Sequence, residues 1–151
     1  ARSDARAGRS VMIVLDTNVL SELLRPSSAP QVIDWLKRQP SASLFVTTIT
    51  HAEILYGIAI LDPGRRRDEF HALATAILTE DYAGQTLVFD EEAASFFAAI
   101  AAERRRLGKP ISQADAQIAA ITRSRGAMLA TRNVRDFVDC GIDLVNPWDG
   151  S

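Results

Sequence analysis

The chain has 151 residues, 47% hydrophobic and 24% charged, with a formal net charge of −2. That is enough apolar surface to bury the core of one domain, and too much for a disordered chain. No apolar stretch reaches the ~18–20 residues needed to cross a bilayer, and the single cysteine, Cys140, excludes an internal disulfide and suits a reducing cytoplasm.

Residues 1–11, "ARSDARAGRSV", lack the apolar middle of a secretory leader. They read as a flexible N-terminal lead or a cloning remnant, with Met12 as the natural start and residues 12–150 as a single domain. The lead carries three arginines and one aspartate, so the remainder has a net charge of −4. An acidic balance does not announce a nucleic-acid binder. The basic residues are clustered, however, at Arg65–Arg67, Arg104–Arg106 and Arg132 with Arg135, and most such runs are solvated helix ends.

In chain order, "MIVL" reads as a short buried strand. "NVLSELL" has helical spacing and is ended by "RPSSAP". "QVIDWLKRQ" is an amphipathic helix stopped by Pro40, and "SLFVT" is a second strand. "THAEILYGIAIL" is helical until "DPG", and residues 66–82 form another helix. "TLVF" is a third strand. "DEEAASFFAAIAAERRR" begins with acids and ends with arginines, as the helix dipole prefers. "SQADAQIAAITRSR" is a helix with a serine cap, stopped by Gly126. "AMLAT" is a fourth strand, "NVRDFVDC" a short helix, and "DLVNP" a last strand. The sequence shows no repeat, low-complexity tract or linker.

Short apolar strands alternating with helices predict an α/β fold: three layers, α/β/α, around a central, mostly parallel sheet of four to five strands. Ligands of such sheets bind outside the carboxyl ends of the strands. Four acids occupy such places. Asp16 follows strand one, Glu53 lies in the helix after strand two, Asp115 lies in the first turn of the helix after Ser112, and Asp136 follows strand four. Each also has an ordinary role. Asp16 can cap the next helix. Glu53 with Thr50, and Asp115 with Ser112, have capping-box spacing. Asp136 can be a solvated acid.

Their convergence is the chemical signal. Carboxylates sharing a pocket repel one another unless a cation is present, and Mg²⁺ or Mn²⁺ prefers such oxygen ligands. A cation held this way can activate water toward a phosphodiester. Thr17, Asn18, Thr131 and Asn133 then orient the carboxylates, a job compatible with turn and cap chemistry. Arg132 and Arg135, beside the last acid, are candidates for holding substrate phosphates. Trp35, Phe45, Tyr56 and Tyr82 are stacking candidates, with core packing as the plainer role.

The blocks "LDTNVLSELL", "TTITHAEILYG", "ISQADAQIAA" and "LATRNVRDF" resemble, in order, the four motif blocks of PIN-domain ribonucleases, in particular the FitB-like members of the VapC toxin branch. The resemblance runs over nearly all of residues 12–149. It implies an endoribonuclease dependent on Mg²⁺ or Mn²⁺, with Asp16, Glu53, Asp115 and Asp136 as its catalytic metal pocket and either Asp136 or Asn133 as the fourth group. It also implies a cognate antitoxin that wraps the toxin and blocks the pocket, an RNA substrate, and a homodimer or toxin–antitoxin hetero-oligomer. The apolar girth of "AASFFAAIAA" serves either a large core contact or a dimer surface.

Rival readings are weaker. A haloacid-dehalogenase-type phosphatase needs a second acid two residues after the first, where this chain has Asn18. A zinc deaminase needs P-C-x-x-C beside "HAE", and no Gly-rich phosphate loop occurs. A PIN nuclease that is not a toxin, and a PIN module that binds RNA or protein without cutting, remain as alternatives.

Overall fold

The computed structural model describes residues 11–149. The expected lead over residues 1–11 lies outside them except for Val11, as does Gly150 at the expected end of the domain. The strands are β1 (Ile13–Leu15), β2 (Leu44–Thr47), β3 (Thr86–Leu87), β4 (Met128–Ala130) and β5 (Asp143–Val145). The helices are α1 (Thr17–Glu22), α2 (Pro30–Arg38), α3 (Thr48–Ala59), α4 (Arg65–Ala76), α5 (Glu91–Arg106) and α6 (Gln113–Ser124). The sheet runs β3-β2-β1-β4-β5 and every neighbouring pair is parallel.

Successive strand side chains point to opposite faces, so three residues of β1 serve two cores. Ile13 and Leu15 pack with Leu20, Val32, Trp35, Val46 and Ile54 beneath the first four helices. Val14 packs with Leu129, Ile100, Ile118 and Phe137 beneath α5 and α6. The result is the expected α/β/α layering. Among the described residues, no helix is long and apolar enough to cross a membrane.

Caps set several boundaries. Asp90 accepts the Ala93 amide at 2.9 Å to start α5, and Ser112 accepts the Asp115 amide at 3.2 Å to start α6. Gly126, at φ +62°, ends α6 in the left-handed region that favours glycine.

Three local expectations are corrected. The helix expected from Thr50 starts at Thr48, because Thr47 caps it and accepts the Thr50 amide at 3.1 Å. Thr50 is therefore inside the helix, so no Thr50–Glu53 capping box forms. The helix expected over 66–82 is α-helical only to Ala76 and then widens into a turn over Ile77–Asp81, closed by the Tyr82 amide on Ile77 O at 3.1 Å. "NVRDFVDC" makes only a tight 3-10 turn over Val134–Phe137.

Within "AASFFAAIAA", Phe96 and Phe97 pack partly buried against the second cluster, while Ala94, Ala98 and Ala99 are exposed. Exposed large apolar side chains include Leu55 and Tyr56 on α3, Ile60 at its end, Leu73 on α4, and Val88 and Leu107 on either side of α5. From central β1 the chain builds outward to β2 and β3, then returns to β4 on the other side. The gap beyond the carboxyl ends of β1 and β4 is thus the point where strand order reverses, the place such sheets use for ligands. Asp16 and Thr131 are the first residues past those two ends.

Candidate active site

The parallel pairing of Leu15 with Ala130 brings Asp16 and Thr131 side by side. The Asp16 amide continues the ladder onto Ala130 O at 2.9 Å, and the Thr131 amide onto Val145 O at 2.9 Å. Asp16 is only 5% exposed. Its Oδ1 accepts the Thr17 amide at 2.8 Å, and its Oδ2 accepts the Thr131 hydroxyl at 2.7 Å and the Asn18 amide group at 3.3 Å. Capping and carboxylate orientation are thus performed by the same atoms. Burial pushes the Asp16 carboxyl up to about 6, and the negative charges of Asp115 and Glu53 add to it, while the Thr131 and Thr17 bonds pull the other way.

Glu53 reaches the same place from α3. Its Oε1 accepts the Thr17 hydroxyl at 2.6 Å, and Thr17 Oγ1 also lies 3.0 Å from Thr50 Oγ1. A hydroxyl has one proton. With that of Thr17 committed to Glu53, Thr50 donates to Thr17, and buried Thr47 donates to Thr50 at 3.5 Å. A file of three threonines therefore runs from the end of β2 to the Glu53 carboxylate.

Asp115 enters from the first turn of α6. Burial raises its carboxyl above the ordinary range, and Asp136 and Glu53 push it the same way, against the Ser112 bond and the Arg104 charge. A cavity of about 370 Å³ is lined by Asp16, Glu53 and Asp115, together with Thr17, Asn18 and Asn133. Asp136 is not among its lining residues. It sits exposed on the 3-10 turn, close enough to Asp115 to raise its pKa. The structure thus gathers three of the four expected acids in one cavity and leaves the fourth at its edge.

The supporting residues divide their work. Thr131 Oγ1, while donating to Asp16, accepts the Asn133 amide at 3.0 Å and lies 3.4 Å from Asn18 Nδ2. Asn18 Oδ1 accepts the Arg132 amide at 3.2 Å. Asn133 therefore acts on Asp16 through its backbone, by way of Thr131. Of the two expected phosphate-binding arginines, Arg132 lines the cavity and Arg135 does not; both are exposed. Of the stacking candidates, Trp35 and Tyr82 are core residues, while Tyr56 stands 68% exposed on α3 outside the cavity lining.

Four lining residues, Ser21, Glu22, Arg25 and Trp148, were not singled out from the motifs. Arg25 stands just past α1, at 3.8 Å from buried Glu22. Glu22 itself accepts the Ala29 amide at 2.7 Å, so its charge secures the start of α2. Trp148 comes from the turn Pro147–Asp149, with the Arg132 guanidinium 5.1 Å from its ring centre. Its signal was available, because an aromatic just past the last strand of a parallel sheet is also at a carboxyl end.

The donor set fits a hard divalent cation. The candidate ligands Asp16, Glu53 and Asp115 are all carboxylates, Asp16 and Asp115 have pKa values raised by burial and by neighbouring carboxylates, and the cavity has room for water to complete a coordination shell. Among the described residues no group of three or more acidic, histidine or cysteine side chains already stands close enough together to hold a metal ion.

The sequence profile of the PIN domain matches residues 13–140. A VapC ribonuclease, Y4jK, of Sinorhizobium fredii is 38% identical over 138 residues, covering 91% of this chain and 99% of that protein. The toxin FitB of Neisseria gonorrhoeae is 35% identical over 137 residues, covering 91% and 99%. Among solved structures, FitAB bound to an IR36 DNA fragment superposes with a TM-score of 0.85 at 35% identity, over 91% of this chain and 96% of that one.

Proposed function

This chain belongs to the PIN domain family, and on that footing we propose that it is a divalent-metal-dependent endoribonuclease, the toxin of a toxin–antitoxin pair. The observation that carries the reading is the cavity at the β1–β4 switch point, where Asp16, Glu53 and Asp115 meet from three different elements. Nothing in a fold-stabilising role calls for three carboxylates in one pocket, two of them with raised pKa values.

Asp16, Glu53 and Asp115 are the groups that would hold Mg²⁺ or Mn²⁺, with Asp136 or Asn133 completing the set from the edge. A divalent cation, when bound, supplies charge neutralisation for the acids and Lewis-acid polarisation of water and phosphate. The chain does the rest by orientation. Thr131, Asn18 and the Thr17 amide fix the Asp16 rotamer. Thr17 holds one oxygen of Glu53 and leaves the other for the cavity. Arg132 and Arg25 on the rim offset the negative charge of an RNA strand entering an acidic pocket.

The partner reading has its own support. An apolar groove of about 600 Å³, lined by Leu24, Ile54, Ile58 and Phe70, shares Thr17, Arg25 and Glu53 with the acid cavity. An antitoxin segment lying in that groove would end over the acids and close the pocket. A homodimer, and pairing of such dimers with antitoxin, belongs to the same reading.

The haloacid-dehalogenase alternative loses its last footing at Asn18, whose amide is spent on Asp16 and the Arg132 backbone. The test is sequencing of RNA ends after brief expression, with Asp16→Asn as the control. New ends that depend on Asp16 support a nuclease. Growth arrest relieved by co-expressing the neighbouring gene separates a toxin from a housekeeping enzyme. Unchanged RNA ends with partner binding retained would favour a binding module.

A further inference from the structure

Arg132 and Trp148 follow the neighbouring parallel strands β4 and β5 and meet at the cavity rim, with the guanidinium 5.1 Å from the indole centre. Both line the acid cavity. We propose that Trp148 is the positioning residue for Arg132, holding its guanidinium where the phosphate next to the scissile bond of a single-stranded RNA must pass. The inference rests on the ribonuclease reading above.

Every part of this rim is tied to the acids. Thr131, the residue before Arg132, bonds Asp16 at 2.7 Å. The Arg132 amide bonds Asn18 Oδ1 at 3.2 Å, and Asn18 also bonds Asp16. The backbone of Arg132 is thus in register with the buried Asp16 carboxylate. Among the described residues its side chain has no carboxylate partner, and its contact is with the indole.

Trp148 is itself fixed. Its amide donates to Asn146 Oδ1 at 2.9 Å, it follows buried Pro147, and it packs against the first core cluster. A cation over an indole face is attracted by the ring quadrupole. A long, flexible arginine held this way loses less freedom when it takes a phosphate oxygen. The pairing also places a positive charge at the mouth of a pocket that would otherwise repel the substrate.

The experiment is a double-mutant cycle on RNA binding across a range of salt concentrations. It uses a fluorescein-labelled single-stranded RNA and the full chain carrying Asp16→Asn, so that binding is read without cleavage. Arg132→Ala is expected to reduce the log–log salt slope by about 0.7, the value for one phosphate contact on a single strand. Trp148→Leu is expected to reduce it as much, and the double variant no further. Trp148→Phe, which keeps a ring under the cation, is expected to retain most of the slope. If Trp148→Leu does not fold, Trp148→Gln takes its place in the cycle. In the cleaving protein, Trp148→Leu is expected to raise KM with a smaller effect on kcat.

A full salt slope in Trp148→Leu overturns the inference, and so do additive losses, which would mean that Trp148 touches the RNA itself. If the parent cleaves RNA while the cycle is additive, only this inference falls. If the parent neither binds nor cleaves RNA, the ribonuclease reading falls with it.

Discussion

The Thr131 hydroxyl donates to Asp16 Oδ2 at 2.7 Å, joining residues 115 positions apart in the chain. Parallel pairing of β1 with β4 brings the two together, and this bond turns that pairing into a site. It also opposes the upward push that burial exerts on Asp16. Thr131→Val keeps the shape of the side chain and removes the donor. The Asp16 carboxyl should then rise further above about 6, and the acidic limb of the kcat/KM profile should shift to higher pH. A pH–rate profile of the variant checks this; an unmoved limb would show that Asp16 ionisation does not control activity.

The raised pKa of Asp16 has a sign for stability. The folded protein holds the Asp16 proton up to about pH 6, against 3.8 for a free aspartate side chain, so ionisation works against the fold. The cost is absent below the unfolded pKa, grows between the two values, and is constant above the folded one. In EDTA, Asp16→Asn should therefore raise stability at neutral pH by on the order of 1–2 kcal/mol, with the gain fading as pH falls toward 4. Denaturant melts at several pH values measure it. A loss of stability at neutral pH would contradict the account.

A divalent cation reverses that penalty by mass action. Mg²⁺ or Mn²⁺ should raise the melting temperature, by the equivalent of about 2.7 kcal/mol at one hundred times Kd. Asp16→Asn, Glu53→Gln and Asp115→Asn should each remove most of that shift. Asp136 lies outside the cavity lining while Asn133 is within it, so Asp136→Asn should retain part of it. Thermal melts with and without metal read the series directly.

Arg104 is 5% exposed and bonds three carbonyls: Lys109 O at 2.7 Å, Asp136 O at 2.8 Å and Val138 O at 3.0 Å. It ties the end of α5 to the turn that carries Asp136. Arg104→Leu strands those acceptors and should cost about 2–4 kcal/mol, since each buried unsatisfied group costs roughly 1–3. Arg104→Lys should recover little, because an ammonium cannot span the same fork. Urea unfolding of both variants measures the loss.

The layered fold was legible because each strand is a short apolar run and each helix has a punctuation mark that the structure uses, such as Asp90, Ser112 and Gly126. The acids were legible because strand ends of a parallel sheet share one edge. Two kinds of feature were not. The start of α3 depended on Thr47 outbidding Thr50 for the cap, a choice between two equivalent threonines that only the end of β2 decides. The Arg132–Trp148 contact and the three-carbonyl role of Arg104 depend on long-range packing, which local pattern does not encode.

The central claim is that Asp16, Glu53 and Asp115 together hold a divalent cation at the β1–β4 switch point. Anomalous diffraction from a crystal soaked in Mn²⁺ tests it most directly. The account predicts a peak in the acid cavity within ligand distance of Asp16, with Glu53 and Asp115 bound directly or through water. No peak there at saturating Mn²⁺, or a peak that persists unchanged in Asp16→Asn, would contradict it.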